Sequence, residues 1–377
     1  MKCLILLSFV VIALAAPNAH KVTTQSCTED VCKAPDCRCS STEIPGGLDA
    51  SETPQFVFLT FDDAVRADNY AIYADSFYNK KNPDGCDIAA TYFTSHEYTD
   101  YSKLNDLYQH GHEIALHSIS HSASTEYWKD MSSELLNEEF VDEITLISNF
   151  ANIPKENIYG LRLPFLQLSG DKSYEMIEKS TLKYDCSWPS LRNIQPGLWP
   201  YTLDYLSTQD CPIGPCPTES HPGVWVVPMT NWLDLNGTAC SMVDACQAIP
   251  ETVDELVELF KENFNKNYKG NRAPFGFYVH AAWFLVAEYH LEAYNKFVDW
   301  LVSLDDVYIV GINQAIEWVK NPVPIGSSNW PKCVEPQPTT CVPRSCRLIK
   351  EGTEERYMTV CGECPAVFPW LDNPLGK

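Results

Sequence analysis

Between residues 54 and 320, short apolar runs alternate with stretches in which apolar positions recur every three or four residues. The runs read FVFLTF, ATYFT, EIALH, IYGLRLP, LKYDCSW, GVWVVPM, FGFYVHAAWF and VYIVGI. Such alternation predicts an α/β fold of parallel strands joined by crossover helices. Two helices stand out. Thr252 and Glu255 form the signature of a capping box, and Val253, Leu256, Val257, Phe260 and Phe264 then share one helical face. A second helix is expected around 133–150, with Leu135, Leu136, Phe140, Ile144 and Ile147 on its apolar face. Both faces are assigned to the core.

Outside this region the pattern changes. Residues 1–16, MKCLILLSFVVIALAA, combine a basic Lys2, an apolar run too short to span a bilayer and small residues at the end, which predicts a cleaved secretory signal. Residues 17–49 hold CTEDVCKAPDCRC, four cysteines in a segment too short for its own core. Residues 50–322 form the expected main domain, and 323–377 shift to Pro and Cys without a sustained period, predicting a disulfide-fixed tail packed on that domain. No internal repeat is visible.

Removing Cys3 leaves fifteen of the sixteen cysteines, a density that suits an oxidising compartment and predicts disulfides whose pairing the spacing does not decide. An odd number leaves one thiol over, and Cys186 is the candidate. A secreted, extracellular protein without a membrane helix is expected. Asn236-Gly237-Thr238 is then an acceptor for N-glycosylation. The formal charge of −23 argues against nucleic acid as a partner, because phosphate recognition rests on basic surface.

Candidate chemistry gathers at the ends of the apolar runs. GHEIALHSISH puts His117 and His121 four residues apart just beyond a strand, and TFDD puts the carboxylates Asp62 and Asp63 at the end of another. Two histidines with one carboxylate are a common ligand set for a catalytic divalent metal, so Asp63, His117 and His121 are the expected metal ligands. The zinc-peptidase pattern needs Glu after the first His, and this chain has Ser118 there. Asp62 is therefore the candidate general base. Arg162, in YGLRLPF, is placed to hold Asp62 ionised. After Pro164, which has no N–H, the amide of Phe165 is a candidate oxyanion donor. His280, at the end of the FGFYVHAAWF run, is a candidate general acid, with a carboxylate such as Asp185 of YDCSW fixing its tautomer.

TFDD, HSISH, RLPF, DCSW and YVHAAWF resemble, in order and spacing, the five motifs of the polysaccharide deacetylases grouped as carbohydrate esterase family four. The wording around them is similar to that of the insect, gut-type chitin deacetylases. The resemblance covers roughly residues 50–320. It implies a distorted β/α barrel of about seven strands and zinc, or another divalent cation, as cofactor. It also implies chitin or its oligomers as substrate for a monomeric enzyme, in the gut lumen or peritrophic matrix. It gives Asp62 as base, Asp63, His117 and His121 as ligands, and Arg162 as the residue that positions the base. Pro164 lines the groove, Phe165 N–H lies in the oxyanion hole, Asp185 stands beside the acid His280, and Trp188 walls the acetyl pocket. Two departures are Ala64-Val65, where bacterial members have Gly after the aspartates, and Phe165, where Tyr is common. The N-terminal cysteine cluster is too short to be a six-cysteine chitin-binding module.

Sugar rings pack on flat aromatics, and Trp188, Trp199, Trp225, Trp232 and Trp283 are candidates, Trp188 and Trp283 foremost. Two other readings compete. A glycosidase needs two carboxylates on opposite sides of the scissile bond, which adjacent aspartates fit poorly. A secreted chitin-binding or structural protein with a vestigial site would commonly have lost its base or acid, and this chain keeps both.

Overall fold

The computed structural model describes residues 26–333, 335–336 and 338–377. The proposed signal at 1–16 lies outside the described residues. Each of the eight apolar runs contains a strand: β1 (Gln55–Asp62), β2 (Thr91–Thr94), β3 (Glu113–Leu116), β4 (Gly160–Leu161), β5 (Tyr184–Asp185), and three more at His221–Val226, Phe275–His280 and Val307–Ile309. Seven of them form one parallel path. It runs from Phe275–His280 through β1, β2, β3, β4 and β5 to His221–Val226, and an antiparallel Tyr201–Leu203 strand flanks the far end. Val307–Ile309 pairs with the first half of β1, where β2 has not yet begun.

All eight residues of β1 are buried, which explains why its sequence is nearly continuous in apolar residues: both faces are covered. The path is a distorted barrel. Between its two ends the backbone ladder gives way to side chains, with the Trp232 indole N–H donating to the Gly276 carbonyl at 2.8 Å. The same indole packs edge-on to Phe260 and Phe277, at 5.7 and 5.2 Å between ring centres. Because the strands are parallel, their carboxyl ends meet at one rim of the barrel.

The helix expected after Thr252 is there, as Val253–Tyr268. Its start differs in detail, because the Thr252 hydroxyl donates to Glu255 Oε2 at 2.6 Å instead of accepting from the backbone. The helix expected at 133–150 is interrupted: Ser133–Leu136 and Asp142–Ala151 flank a π turn at Asn137–Val141.

Seven disulfides form among the described residues, and Cys186 is free and buried. Cys86–Cys333 ties the tail to the barrel. The tail is more regular than its composition predicts, since Pro343–Lys350 and Glu354–Cys361 form an antiparallel hairpin stapled by Cys341–Cys361 and Cys346–Cys364. Its inward positions, Cys346, Leu348 and Lys350, alternate with exposed ones. Among the described residues no helix is long and apolar enough to cross a membrane.

Candidate active site

Strand register brings the candidate residues together. Asp62 is the register partner of His280 on the neighbouring strand, and Leu116 pairs with Leu161, so that His117 and Arg162 emerge side by side just beyond. At Asp63 the backbone turns into the left-handed region, φ 80°, which ends β1 and swings two adjacent carboxylates toward one place. The result is visible at His117: its Nε2 lies 3.9 Å from Asp62 Oδ2 and 3.9 Å from Asp63 Oδ1. His121 Nε2 is 3.3 Å from the same Asp63 oxygen.

Asp63, His117 and His121 place one donor atom each within 4.8 Å of one another. His117 Nδ1 donates to the Arg162 carbonyl at 2.7 Å, which fixes the tautomer and leaves the Nε2 lone pair facing the carboxylates. Burial, aided by the nearby His121, pushes the His117 pKa down to about 3, so the ring is neutral, as a ligand must be. This donor set fits a divalent cation.

Asp62 is almost fully buried, and Arg162 wholly so. The guanidinium donates from Nη1 to Asp62 Oδ1 at 2.6 Å and to Thr60 Oγ1 at 2.9 Å. Nε donates to the Cys186 carbonyl at 2.8 Å, and Nη2 to its sulfur at 3.2 Å. The faces of Phe93 and Tyr278 flank it at 4.1 and 5.0 Å. Burial is the largest influence and would lower its pKa, but Asp62, together with Cys186 and Tyr278, outweighs it and holds the pKa above the ordinary value.

Across the cleft, His280 Nδ1 is 2.7 Å from Asp244 Oδ2, and the His280 amide donates to the same oxygen. Burial opposes the imidazolium, yet the Asp244 hydrogen bond, with the charges of Asp62, Asp244 and Asp63, raises its pKa to about 9. Phe165 has φ 57°, and its amide N–H donates to no acceptor among the described residues. Its ring stands 5.7 Å from that of His121. A cleft of about 290 Å³ is lined by Asp62, Asp63, Arg66, Tyr98, His121 and His280, among others.

Residues 49–184 match the polysaccharide deacetylase family. Over the full length of both chains the sequence is 45% identical to a protein of Bombyx mori named chitin deacetylase 8. The chain belongs to the polysaccharide deacetylase family. It is also 38% identical to Bombyx mori chitin deacetylase 1, over 93% of this chain and 68% of that one. Among solved structures, the chitin deacetylase of Colletotrichum lindemuthianum aligns over 70% of this chain and 88% of its own, at 16% identity and a TM-score of 0.36.

Two expectations about this deacetylase's site need correction. Asp185 does not touch His280, the expected acid: its oxygens accept from the Tyr174 hydroxyl at 3.0 Å and from Ser187, inside the core. Burial raises its pKa to about 6. The residue at His280 is Asp244, on the turn Val243–Ala245 among the five residues between the disulfide-bonded Cys240 and Cys246. A single carboxylate between two close cysteines, C-SMVDA-C, was the available signal. Secondly, none of the candidate tryptophans presents an exposed flat face for a sugar ring. Trp188, Trp199, Trp225, Trp232 and Trp283 are all buried, with Trp283 stacked on His290 and the Trp188 N–H donating to the Asp210 carbonyl. Pro164 is buried too, in the turn that carries Phe165. The exposed aromatics at the site are Tyr98 and Phe165.

Tyr98 rides on a loop that the tail clamps. His96 Nε2 meets the Pro369 carbonyl at 2.9 Å, and Glu97 accepts from Arg356 at 2.9 Å with Lys350 at 3.5 Å. Asn236 is exposed, in a turn where Asp234 Oδ1 accepts from its amide at 2.9 Å.

Proposed function

We propose that this chain hydrolyses the N-acetyl group of N-acetylglucosamine units in chitin, releasing acetate and leaving a free amine. One observation carries the reading: an Arg-held carboxylate, a three-donor cation site and a carboxylate-paired histidine converge on a single cleft. The names of the two Bombyx mori relatives support the substrate.

Asp63, His117 and His121 would hold the cation, zinc by preference for two imidazoles and a carboxylate. Bound there, it supplies Lewis acidity for the attacking water and the acyl oxygen. Asp62, kept in place by Arg162, takes a proton from that water as its oxygen joins the carbonyl carbon. The Phe165 N–H, which has no acceptor among the described residues, donates to the oxygen on which negative charge develops. His280, held protonated by Asp244, gives its proton to the nitrogen as the C–N bond breaks. The two protonation states are reset by exchange with solvent. Asp185, linked to the Leu163 amide through Ser187, supports the turn carrying Phe165.

The sugar packs against Tyr98 at the rim. Disulfide density supports secretion into an oxidising compartment, with Asn236 free to carry a glycan and the gut lumen or peritrophic matrix as the place of action. The working unit is a monomer. The test is acetate release and product mass from defined N-acetylglucosamine oligomers, with and without zinc. Zinc-dependent loss of 42 mass units per deacetylated residue, about the mass of an acetyl group less one hydrogen, is expected. Shortened oligomers would instead mark a glycosidase, and binding without acetate a chitin-binding protein.

A further inference from the structure

The loop that carries both histidines has an unusual backbone. Ser118 has φ 81° and His121 φ 43°, left-handed values at residues other than glycine. Such conformations persist only where neighbours over-determine them. Here the neighbours come from one interrupted helix. The Ser118 amide donates to Glu143 Oε2 at 2.8 Å, the Ile119 amide to the Glu139 carbonyl at 3.1 Å, and the Ser120 amide to Glu139 Oε2 at 2.8 Å. Three consecutive N–H groups are thus taken by two glutamates. The next, His121, donates to Ser118 Oγ at 3.1 Å, closing the turn on itself.

Both glutamates are fully buried, although no cationic side chain pairs with either among the described residues. Glu139 is further held by the hydroxyls of Ser120 and Tyr127, the latter at 2.6 Å. The π turn at Asn137–Val141 contains Glu139 and leads into the helix that bears Glu143. Turns of this type break the regular ladder and recur at functional sites. A buried carboxylate is costly unless hydrogen bonds satisfy it, so apolar residues would serve this helix better if packing were the only demand.

We propose that Glu139 and Glu143 are positioning residues of the cation site, setting the backbone of residues 117–121 so that both imidazoles face Asp63. The inference rests on the reading of Asp63, His117 and His121 as ligands. It assigns the two glutamates no contact with the cation or the substrate. They act through the loop's amides, as groups behind a first ligand layer tune affinity elsewhere, typically by about 10–100-fold.

The test measures zinc affinity of the metal-stripped full chain by chelator competition, alongside its thermal unfolding. Glu139→Asp and Glu143→Asp keep the carboxyl group but shorten its reach, and are expected to weaken zinc binding by about 10-fold or more. Glu139→Gln and Glu143→Gln keep an oxygen in reach and should stay within about threefold. At saturating zinc the Asp variants should recover most of their turnover, since the chemical groups are intact. Glu139→Leu and Glu143→Leu, where they fold, should show the largest loss. Folded Asp variants that bind zinc as tightly as the unaltered chain overturn the proposal. An unaltered chain that takes up no zinc, or a His117→Ala variant that binds it equally, overturns the ligand reading instead.

Discussion

Replacing Asp244 by Asn separates the two things a carboxylate does for His280. Asn is the same size, and its Oδ1 can still accept from Nδ1, so the ring keeps its orientation. What disappears is the negative charge 2.7 Å from the imidazole. As the proposed acid, His280 acts in its protonated form, so activity is expected to be lost as pH rises through its pKa, which is about 9. Without Asp244 that pKa moves toward the ordinary 6.5. At about pH 8 the acid form is then roughly nine-tenths populated before the change, and roughly 3% after a full return to the ordinary value. Turnover should fall by up to about 30-fold at that pH. Below about pH 6 both forms are protonated and the two enzymes should converge to within a few-fold. Asp62 and Asp63 remain and keep part of the shift, so 30-fold is an upper bound. The assay is initial rate of acetate release at saturating zinc and substrate across that pH range. An Asp244→Asn enzyme whose pH profile has the parent shape, lowered equally everywhere, would refute the electrostatic role and leave only an orienting one.

Asp62→Asn and His280→Ala should each lower turnover by about 10²–10⁴-fold with zinc still bound, measured as acetate release beside zinc titration. Arg162→Met leaves the buried Asp62 without its cation, and denaturant unfolding should show a loss of about 3–5 kcal/mol together with a large fall in turnover. Tyr98→Ala should raise KM for oligomers by roughly 5- to 30-fold with little change in kcat, as expected for loss of about 1–2 kcal/mol of ring contact. Cys186 should resist thiol reagents in the folded protein and react only on denaturation, because burial pushes its pKa up to about 11 despite Arg162.

The strands were legible because a segment buried on both faces has little choice but to be apolar, and FVFLTF or FGFYVH admits few other readings. His117, His121 and Asp63 were legible for a different reason: the metal ligation proposed for them restricts residue type, so such donors stand out beside apolar neighbours. The partner of His280 had no such signature. Asp244 stands thirty-six residues away, on a turn whose approach to the cleft is set by a disulfide and by the pairing of Trp232–Leu233 with Ala239–Cys240. Asp185 was nearer in the motif order, but β5 ends with its side chain toward Tyr174 and Ser187. The tryptophans misled because size was read as platform, whereas a large apolar ring is more valuable to a core than to a rim.

Backbone conformation was the least legible layer, and the site depends on it most. Among the described residues eleven positions other than glycine have positive φ; three of them, Asp63, Tyr98 and His121, line the cleft, and three more, Ser118, Phe165 and Leu166, lie in the turns that carry His117, His121 and the Phe165 amide. Each conformation costs of order 1–3 kcal/mol in isolation. Glycine would relieve that cost and would also be easy to recognise, but it could not supply a carboxylate, an imidazole or an aromatic ring at the same position. At Asp63 the chain accepts the turn in order to bring a second carboxylate to the nitrogen that Asp62 already approaches. At Phe165 the same kind of turn leaves an amide without an acceptor among the described residues. Function therefore explains both why these residues are strained and why they escaped recognition: the side chain is fixed by the chemistry, so the turn leaves no residue-type mark of its own.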